Sequence, residues 1–315
     1  MSAIPVFDDV LAAAARIAAH AQVTPVRRSR SLDALAGCEL YFKCENLQRA
    51  GAFKFRGACN AVWSLDDETA ARGVLTHSSG NHGAALALAA KTRGIPAHVV
   101  VPEGAVRSKM AAIEAFGATL HVCAPTFAAR EATAERLRQE TGARLVHPYH
   151  DPAVIAGQGT AAMELLKEIG ELDIVMTPVG GGGLISGTAI ATRGLAPNAR
   201  VIGAEPSGAP DAWESLRDGE RPTEMTANTI CDGLRGIIGA MNFDLMRQYG
   251  VEVLLADDDE IRRAMRLMWE RLKLLVEPSS ATVLAAVLRN PDRFAGRRVG
   301  LVLSGGNVDL DDLPL

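Results

Sequence analysis

Short runs rich in valine and isoleucine alternate with helical patterns along this chain of 315 residues. Strand patterns separated by helical patterns are typical of crossover connections between parallel strands. Such crossovers favour a mostly parallel sheet with helices on both faces, so the sequence predicts an α/β fold. Strands are expected at 74–77, 97–101, 119–123, 173–179, 200–204 and 299–303, and helices at 83–93, 108–116, 158–169 and 184–194.

The composition restricts the class of protein and its partners. Hydrophobic residues make up 48% of the chain and the net charge is -4, so no basic surplus exists to neutralise a nucleic acid. The chain has no long apolar run and no basic N-terminal region, which predicts neither a membrane span nor a signal peptide and favours the cytoplasm. Five cysteines without a C-x-x-C pair indicate reduced thiols. The length favours two domains and the charge favours a small substrate.

The first candidate functional residue is Lys54, which follows Phe53 in a stretch of phenylalanine, alanine and glycine. Apolar neighbours disfavour a charged ammonium group, so such a lysine either loses its proton readily or forms an imine with a carbonyl compound. The alternative is a lysine at a helix start whose stem packs and whose charged end remains in water.

The second candidate is the segment Ser78-Ser79-Gly80-Asn81-His82-Gly83, which follows a strand pattern and opens an alanine-rich helix. Hydroxyls, an amide and free backbone N–H groups at a helix N-terminus form a site for a carboxylate or another anion. The alternative is ordinary helix capping by serine and asparagine, with glycine in a tight turn.

Four successive glycines, Gly180, Gly181, Gly182 and Gly183, lie between a strand pattern and a helix pattern. Glycine destabilises both helices and strands, but it lets consecutive N–H groups approach a phosphate at a helix N-terminus. The competing interpretation is a dinucleotide-binding oxidoreductase, in which Glu205 after the next strand would bind a ribose. That interpretation is weak, because Ser186 occupies the third glycine position and Lys54 would have no role.

Two patterns complete the set of candidate sites. Ser304 follows the apolar strand 299–303, where a hydroxyl can reach a ligand at the end of the strand, although a glycine-rich turn is the alternative. Glu205 also ends a strand, and a turn brings Asp211 back toward it. Two carboxylates and an intervening carbonyl could bind a hard divalent cation, and two hydrated acids beside a turn are the alternative.

These motifs occur in the order found in one family and extend over nearly the whole chain. The sequence resembles fold type II pyridoxal-phosphate enzymes of the serine racemase and serine/threonine dehydratase branch, which includes 3-hydroxyaspartate dehydratases. Asp232-Gly233-Leu234-Arg235 and Glu277-Pro278-Ser279 also match. The resemblance implies a tryptophan synthase β-like architecture of two interleaved domains, a large cofactor-binding domain of residues 1–67 and 150–315 and a small mobile domain of residues 68–149.

The resemblance also implies a role for each candidate residue. Lys54 would hold pyridoxal phosphate as an imine and act as the base, and Ser79 would lie on the opposite side of the cofactor ring. The cofactor-binding residues would be Phe53, Lys54, Asn81, Gly180, Gly181, Gly182, Gly183 and Ser304. The substrate-binding residues would be Ser78, Ser79, Asn81, His82 and Arg130. The metal ligands for magnesium, manganese or calcium would be Glu205, the Ala209 carbonyl and Asp211.

The expected activity is elimination of water from L-serine, L-threonine or 3-hydroxyaspartate, giving a 2-keto acid and ammonia. Serine racemisation through Ser79 is the alternative, and a non-catalytic pyridoxal-phosphate carrier is a third possibility. Arg130 could instead be a hydrated helix charge. Tyr149 and His150 differ from residues common in racemases, and Arg130 with His82, His147 and His150 would suit a second substrate carboxylate. The resemblance also implies a homodimer.

Overall fold

The computed structural model describes residues 4–105, 107–311 and 313 and contains two sheets flanked by helices. The strands are β1 (Val26–Arg27), β2 (Glu39–Cys44), β3 (Val74–Thr76), β4 (Ala97–Pro102), β5 (Thr119–Cys123), β6 (Arg144–Leu145), β7 (Ile174–Pro178), β8 (Arg200–Pro206), β9 (Glu252–Ala256) and β10 (Arg298–Leu303). The helices are α1 (Phe7–Ile17), α2 (Arg30–Ala36), α3 (Lys54–Trp63), α4 (Asp67–Ala71), α5 (Asn81–Arg93), α6 (Arg107–Ala115), α7 (Phe127–Thr141), α8 (Pro152–Ile169), α9 (Gly183–Leu195), α10 (Asp211–Asp218), α11 (Ala240–Gln248), α12 (Asp258–Leu272), α13 (Pro278–Arg289) and α14 (Pro291–Phe294).

The larger sheet has six strands in the order β1-β2-β10-β7-β8-β9. Only the short β1 is antiparallel to its neighbour within this sheet, and the other strands run parallel. Parallel strands end at the same edge, so the segments that follow β2, β7, β8 and β10 lie beside one another there. Lys54, the four glycines and Ser304 belong to these segments, and Glu205 lies at the end of β8 itself.

The smaller sheet has four parallel strands in the order β5-β4-β3-β6, all drawn from residues 74–145. Helix α5 follows β3 directly, and the loop between them carries Ser78 and Ser79. The fold is therefore α/β with one mixed and one parallel sheet, and the predicted fold class is confirmed.

One element differs clearly from its prediction. Helix α8 begins at Pro152 and not at Gln158. The Asp151 side chain accepts a hydrogen bond from the backbone nitrogen of Ala153 at 2.9 Å, and proline suits the first turn of a helix.

Glycines inside α8 allow other helices to come close to it. A Cβ added at Gly159 would lie 2.7 Å from the carbonyl oxygen of Gly187 in α9, and one added at Gly187 would lie 2.4 Å from the carbonyl oxygen of Ile155. Both distances are shorter than a normal contact, so the α8–α9 packing requires glycine at these positions. This packing fixes α9, whose N-terminus follows the glycine loop.

The five cysteines are free and buried, as predicted for reduced thiols. Cys38, Cys44 and Cys231 belong to the core beneath the larger sheet, whereas Cys59 and Cys123 pack in cores beside the smaller sheet. Among the residues that the structure describes, no helix is both long and apolar enough to cross a bilayer.

Candidate active site

Lys54 is the first residue of α3, and its side chain is partly buried. Its Nζ donates a hydrogen bond to the carbonyl oxygen of Pro148 at 3.0 Å and lies 5.1 Å from the centre of the Phe53 ring. Burial lowers the pKa of Lys54 to about 8, although the Glu277 carboxylate opposes this effect. A lysine with this pKa can accept a proton near neutral pH, unlike a fully hydrated surface lysine.

A buried ion cluster fixes the first turn of α3. The fully buried Arg56 guanidinium contacts Glu45 at 2.7 and 2.8 Å and both oxygens of Glu164 at 2.7 Å. The buried Lys43 also donates to Glu164, at 2.6 Å. Two positive and two negative side chains therefore balance inside the protein, as buried charges require. Since Arg56 lies two residues after Lys54, the cluster fixes the backbone from which Lys54 extends.

The loop between β3 and α5 forms a tight turn at the start of the helix. A Cβ at Gly83 would lie 2.0 Å from the carbonyl oxygen of Ser78, so this turn requires glycine. Asn81 is the first residue of α5 and joins other parts of the site. Its Nδ2 donates to both carboxylate oxygens of Glu277, at 3.0 and 3.1 Å, and its Oδ1 accepts from Nδ2 of Asn307 at 2.9 Å.

His82 is buried behind this loop. Its Nε2 lies 3.2 Å from the carbonyl oxygen of Val146, which agrees with a local hydrogen-bonding role. Burial, together with nearby Lys54, holds the pKa of His82 well below its ordinary value. The imidazole is therefore neutral near pH 7 and supplies no positive charge for a substrate.

The four glycines connect β7 to α9 and pack too closely for side chains. A Cβ at Gly181 would lie 2.3 Å from the Tyr149 ring, and one at Gly182 would lie 2.3 Å from the Ile238 side chain. Gly182 also has a φ of 91°, which favours glycine. Asn242 Nδ2 donates to the Gly181 carbonyl at 2.9 Å. The loop therefore presents bare backbone at the start of a buried helix, which fits a phosphate group.

Ser304 lies at the end of β10 with only 2% of its surface exposed. Its Oγ is 3.1 Å from Oγ of Ser280, and its carbonyl accepts a hydrogen bond from the backbone nitrogen of Phe53 at 2.9 Å. The fold thus brings this hydroxyl next to the segment that carries Lys54, although the two lie 250 positions apart in the sequence.

Glu277 is a functional residue that the sequence motif alone does not reveal. It precedes α13 and is 4% exposed, with Asn81 as its hydrogen-bond donor. Burial, reinforced by the negative charge of Asp232, raises the pKa of Glu277 to about 7. Its position directly before a proline at a helix start was the available sequence signal.

A cluster of aromatic side chains lies on the glycine loop. The His147 ring is 5.3 Å from His77 and 4.6 Å from Tyr149, measured between ring centres. His147 Nδ1 accepts a hydrogen bond from the backbone nitrogen of His150 at 3.1 Å. Burial lowers the pKa of His147 to about 3, so this imidazole is also neutral. His150 is exposed.

Arg130 lies in the first turn of α7 and is partly buried. Its positive charge helps to lower the pKa of His77, and it also acts on the pKa of Tyr149, so the guanidinium lies within electrostatic reach of the aromatic cluster. Arg130 therefore lies near His77 and Tyr149, two members of this cluster.

Glu205 and Asp211 are two buried carboxylates joined by a turn. Glu205 accepts hydrogen bonds from the backbone nitrogens of Ala212 at 3.1 Å and Trp213 at 2.9 Å, and Asp211 accepts from Ile238 at 2.7 Å. Burial and the neighbouring Asp211 raise the pKa of Glu205 well above its ordinary value, and burial raises that of Asp211 to about 6. Within the described part of the chain, no cluster of three or more His, Cys, Asp or Glu side chains suits a metal.

Comparisons with known proteins agree with this geometry. The family model described as pyridoxal-phosphate dependent enzyme matches residues 17–305. The chain is 48% identical to the beta-hydroxyaspartate dehydratase of Paracoccus denitrificans, covering 99% of each protein. It is also 48% identical to the serine racemase of Dictyostelium discoideum, covering 97% of this chain and 95% of the relative.

Among solved structures, maize serine racemase superposes with a TM-score of 0.96 at 44% sequence identity, covering 98% of this chain and 95% of that one. An oxidoreductase assignment has no support, and the chain belongs to the pyridoxal-phosphate-dependent enzymes of fold type II, in the branch of the serine racemases and β-hydroxy amino acid dehydratases.

Proposed function

We propose that this enzyme removes water from a small β-hydroxy amino acid and releases a 2-keto acid and ammonia, with 3-hydroxyaspartate as the favoured substrate. The observation that carries the proposal is the position of Lys54. Its pKa is lowered to about 8, its neighbour Phe53 is hydrogen-bonded to the Ser304 carbonyl, and its charge acts on His82 in the loop that begins at Ser78. The Paracoccus denitrificans relative, a beta-hydroxyaspartate dehydratase, supports the choice of substrate.

The residues around Lys54 fit pyridoxal phosphate. The backbone of Gly180 to Gly183 would hold the phosphate, the Ser304 hydroxyl would face the pyridine nitrogen, and Asn81 would face the ring hydroxyl beside Phe53. Lys54 would hold the cofactor until the substrate amine replaces it, and the cofactor would then make the substrate Cα–H acidic by accepting electron density. A serine beside the pyridine nitrogen is neutral, so it leaves that nitrogen without the added proton that a carboxylate partner would favour.

Lys54 and the β3–α5 loop supply the acid–base chemistry. The Lys54 amine removes the proton from Cα on one side, and the C–O bond at Cβ breaks with proton donation to the departing hydroxyl. The Ser78 to Gly83 loop binds the α-carboxylate at the N-terminus of α5.

Arg130 is the residue that we assign to a second substrate carboxylate. The imidazoles of His82 and His147 are neutral, so they can donate hydrogen bonds without supplying charge. The guanidinium at the start of α7 carries a permanent charge and lies within electrostatic reach of Tyr149. It would approach the substrate when the small domain, residues 68–149, closes on the large domain, residues 1–67 and 150–315.

Racemisation is the second candidate activity, because a racemase relative is 48% identical. Ser79 would return a proton to the face of Cα opposite Lys54. Elimination and inversion would diverge after the same proton removal, so barrier differences of about 1 to 3 kcal/mol decide the ratio of products. A non-catalytic carrier is disfavoured, since both Lys54 and Ser79 are present.

We also propose a divalent cation site and a homodimer. Glu205, Asp211 and the Ala209 carbonyl offer oxygen ligands, and Oδ1 of Asp211 is buried without a hydrogen bond in the described structure. Magnesium, manganese or calcium would fit such a donor set. Exposed Val23 (79%), Leu47 (44%) and Leu275 (46%) support a contact with a second copy. The free thiols support a cytoplasmic location.

An assay of keto acid and ammonia tests the proposal directly. Purified protein is given L-serine, L-threonine and the diastereomers of 3-hydroxyaspartate, with magnesium or with a chelator. We expect turnover that is lost in Lys54→Ala, and a larger loss of kcat/KM for 3-hydroxyaspartate than for serine in Arg130→Gln. Inversion of serine without keto acid would make the protein a racemase, and no reaction of either kind would refute the catalytic assignment.

A further inference from the structure

Two polar contacts join the elements of the smaller sheet to those of the larger sheet close to Glu277. Asn81 of α5 donates to the Glu277 carboxylate. Lys109 of α6 forms an ion pair with Asp232, which opens a short 3₁₀ turn beside the glycine loop. Lys109 lies on a helix that flanks the smaller sheet, whereas Asp232 lies in a segment that follows a strand of the larger sheet. This ion pair therefore depends on how closely the elements around the two sheets approach each other.

The space around the Glu277 carboxylate is shaped to hold it in one place. A Cβ at Gly305 would lie 2.7 Å from Oε1 of Glu277, so a side chain there would displace the carboxylate. Gly233 faces the same oxygen from the Asp232 turn, where a Cβ would lie 3.8 Å away. The amide of Asn81 closes the remaining side and is itself held by Asn307. Glu277 therefore lies against three sequence motifs, which contain Asn81, Gly233 and Gly305.

The groups around Glu277 have opposite effects on the pKa of its carboxyl group. Burial and Asp232 favour the protonated carboxyl, whereas Lys109, the Asn81 amide and the Asn307 backbone N–H favour the carboxylate. Lys54 faces it from α3, and the Glu277 charge in turn raises the pKa of that lysine. Removing Lys109 from Asp232 would leave Asp232 unneutralised beside Glu277, which would also lose one of the cations that act on it.

We propose that Glu277 is a positioning residue whose carboxylate orients the Asn81 amide. We also propose that the Lys109–Asp232 contact supports the negative charge of Glu277 when the cleft between the proposed small and large domains is closed. Closing the cleft then charges Glu277 and fixes Asn81 in the same movement, and opening it lets Glu277 take up a proton. The role of Asn81 toward the cofactor rests on the proposed function, but the charge coupling does not.

The proposed coupling between the Lys109–Asp232 ion pair and the charge of Glu277 predicts opposite shifts of the Glu277 titration midpoint in two variants that break this ion pair. In the cofactor-free protein labelled with [13Cδ]glutamate, the Glu277 carboxyl signal is identified by its absence in Glu277→Gln and is titrated by NMR. We expect a midpoint near neutral pH that moves upward in Lys109→Met and downward in Asp232→Asn. Loss of a purely structural contact would move both midpoints in the same direction.

Further variants make this test decisive. Both members of the pair are partly exposed, with 30% and 39% of the side chains accessible, so both variants should fold. Lys109→Glu should raise the midpoint further than Lys109→Met. The exposed pair Arg72–Glu68 offers a control, and Glu68→Gln should leave the midpoint unchanged. Equal or absent shifts in the two ion-pair variants would overturn the proposal.

The orienting role of the carboxylate has a separate readout. Glu277→Gln keeps the size of the side chain but places an amide donor opposite the Asn81 amide, so the two groups compete for one orientation. We expect at least a tenfold weaker affinity for pyridoxal phosphate, measured by equilibrium dialysis without substrate. Unchanged affinity would overturn the role assigned to Asn81. Neither measurement uses turnover, so inactivity toward every amino acid would refute the proposed function and leave the coupling standing.

Discussion

The reactivity of Lys54 depends on how much of its amine is neutral, and the structure gives that fraction. With a pKa of about 8, about a quarter of the amine is neutral at pH 7.5, against about one part in a thousand at the ordinary value of 10.5. The buried environment therefore raises the reactive fraction roughly 200-fold. The cause is loss of hydration around the charged form, which outweighs the attraction of Glu277.

Competitive acetylation measures this fraction without cofactor or substrate. Cofactor-free protein is treated with trace labelled acetic anhydride from about pH 6 to pH 10, then fully acetylated and digested, and the Lys54 peptide is quantified by mass spectrometry. Exposed Lys167 in α8 serves as the reference lysine in the same digest. We expect the Lys54 rate to reach half its plateau near pH 8. A Lys54 rate that rises in parallel with that of Lys167 through pH 10 would refute the reasoning.

The lowered pKa of Lys54 also determines whether the free energy of unfolding rises or falls with pH. Because the folded pKa lies below the unfolded value, the unfolded chain binds more protons between about pH 8 and pH 10.5. The contribution of Lys54 to the free energy of unfolding therefore increases as pH rises through this window. Lys54→Met should remove that increase, as measured by urea unfolding at both ends of the window.

Three other substitutions test separate parts of the structure. Ser79→Ala should lower inversion of serine at least tenfold while keeping elimination, as measured by chiral chromatography, and equal losses of both would contradict the assignment of its proton. Arg56→Met should cost about 3–5 kcal/mol in urea unfolding because it removes a buried cation shared by two carboxylates, whereas Arg72→Met at an exposed pair should cost less than about 1 kcal/mol; similar costs would contradict the buried-cluster argument. Gly187→Ala should cost about 1–3 kcal/mol because its Cβ would meet a backbone oxygen at 2.4 Å, and an unchanged midpoint would show that α8 and α9 can separate freely.

The positions of the motifs were predictable because of a rule about parallel sheets. The glycines at 180–183 and Ser304 follow apolar strands, and the carboxyl ends of parallel strands meet at one edge. The sequence therefore placed both motifs at the same site before their order in the sheet was known. Lys54 was predictable from its apolar neighbours, and its position at the start of α3 agrees with both of the interpretations offered for it.

The electrostatic properties of the site were not predictable in the same way. Glu277 and its donor Asn81 lie 196 positions apart, so no local pattern reveals their contact. The charge of His147 depends on burial beneath His77 and Tyr149, which a count of histidines cannot show. The sequence suggested several cationic groups for a second carboxylate, whereas in the folded site the imidazoles of His82 and His147 are neutral and Arg130 acts on the neighbouring His77.

If the small domain of residues 68–149 moves as we propose, this distribution of charge would link that movement to substrate choice. An α-carboxylate can be bound by the N-terminus of α5 through backbone N–H groups, which need no cationic side chain. A second carboxylate requires a full positive charge to offset its loss of hydration, and Arg130 on α7 can supply one. Since α5, α6 and α7 all flank the smaller sheet, one closing movement would bring Asn81, Lys109 and Arg130 to the site together. A substrate that pairs with Arg130 would thereby also favour the charged state of Glu277, so that binding energy from the distal carboxylate would order the groups around Lys54 before proton removal.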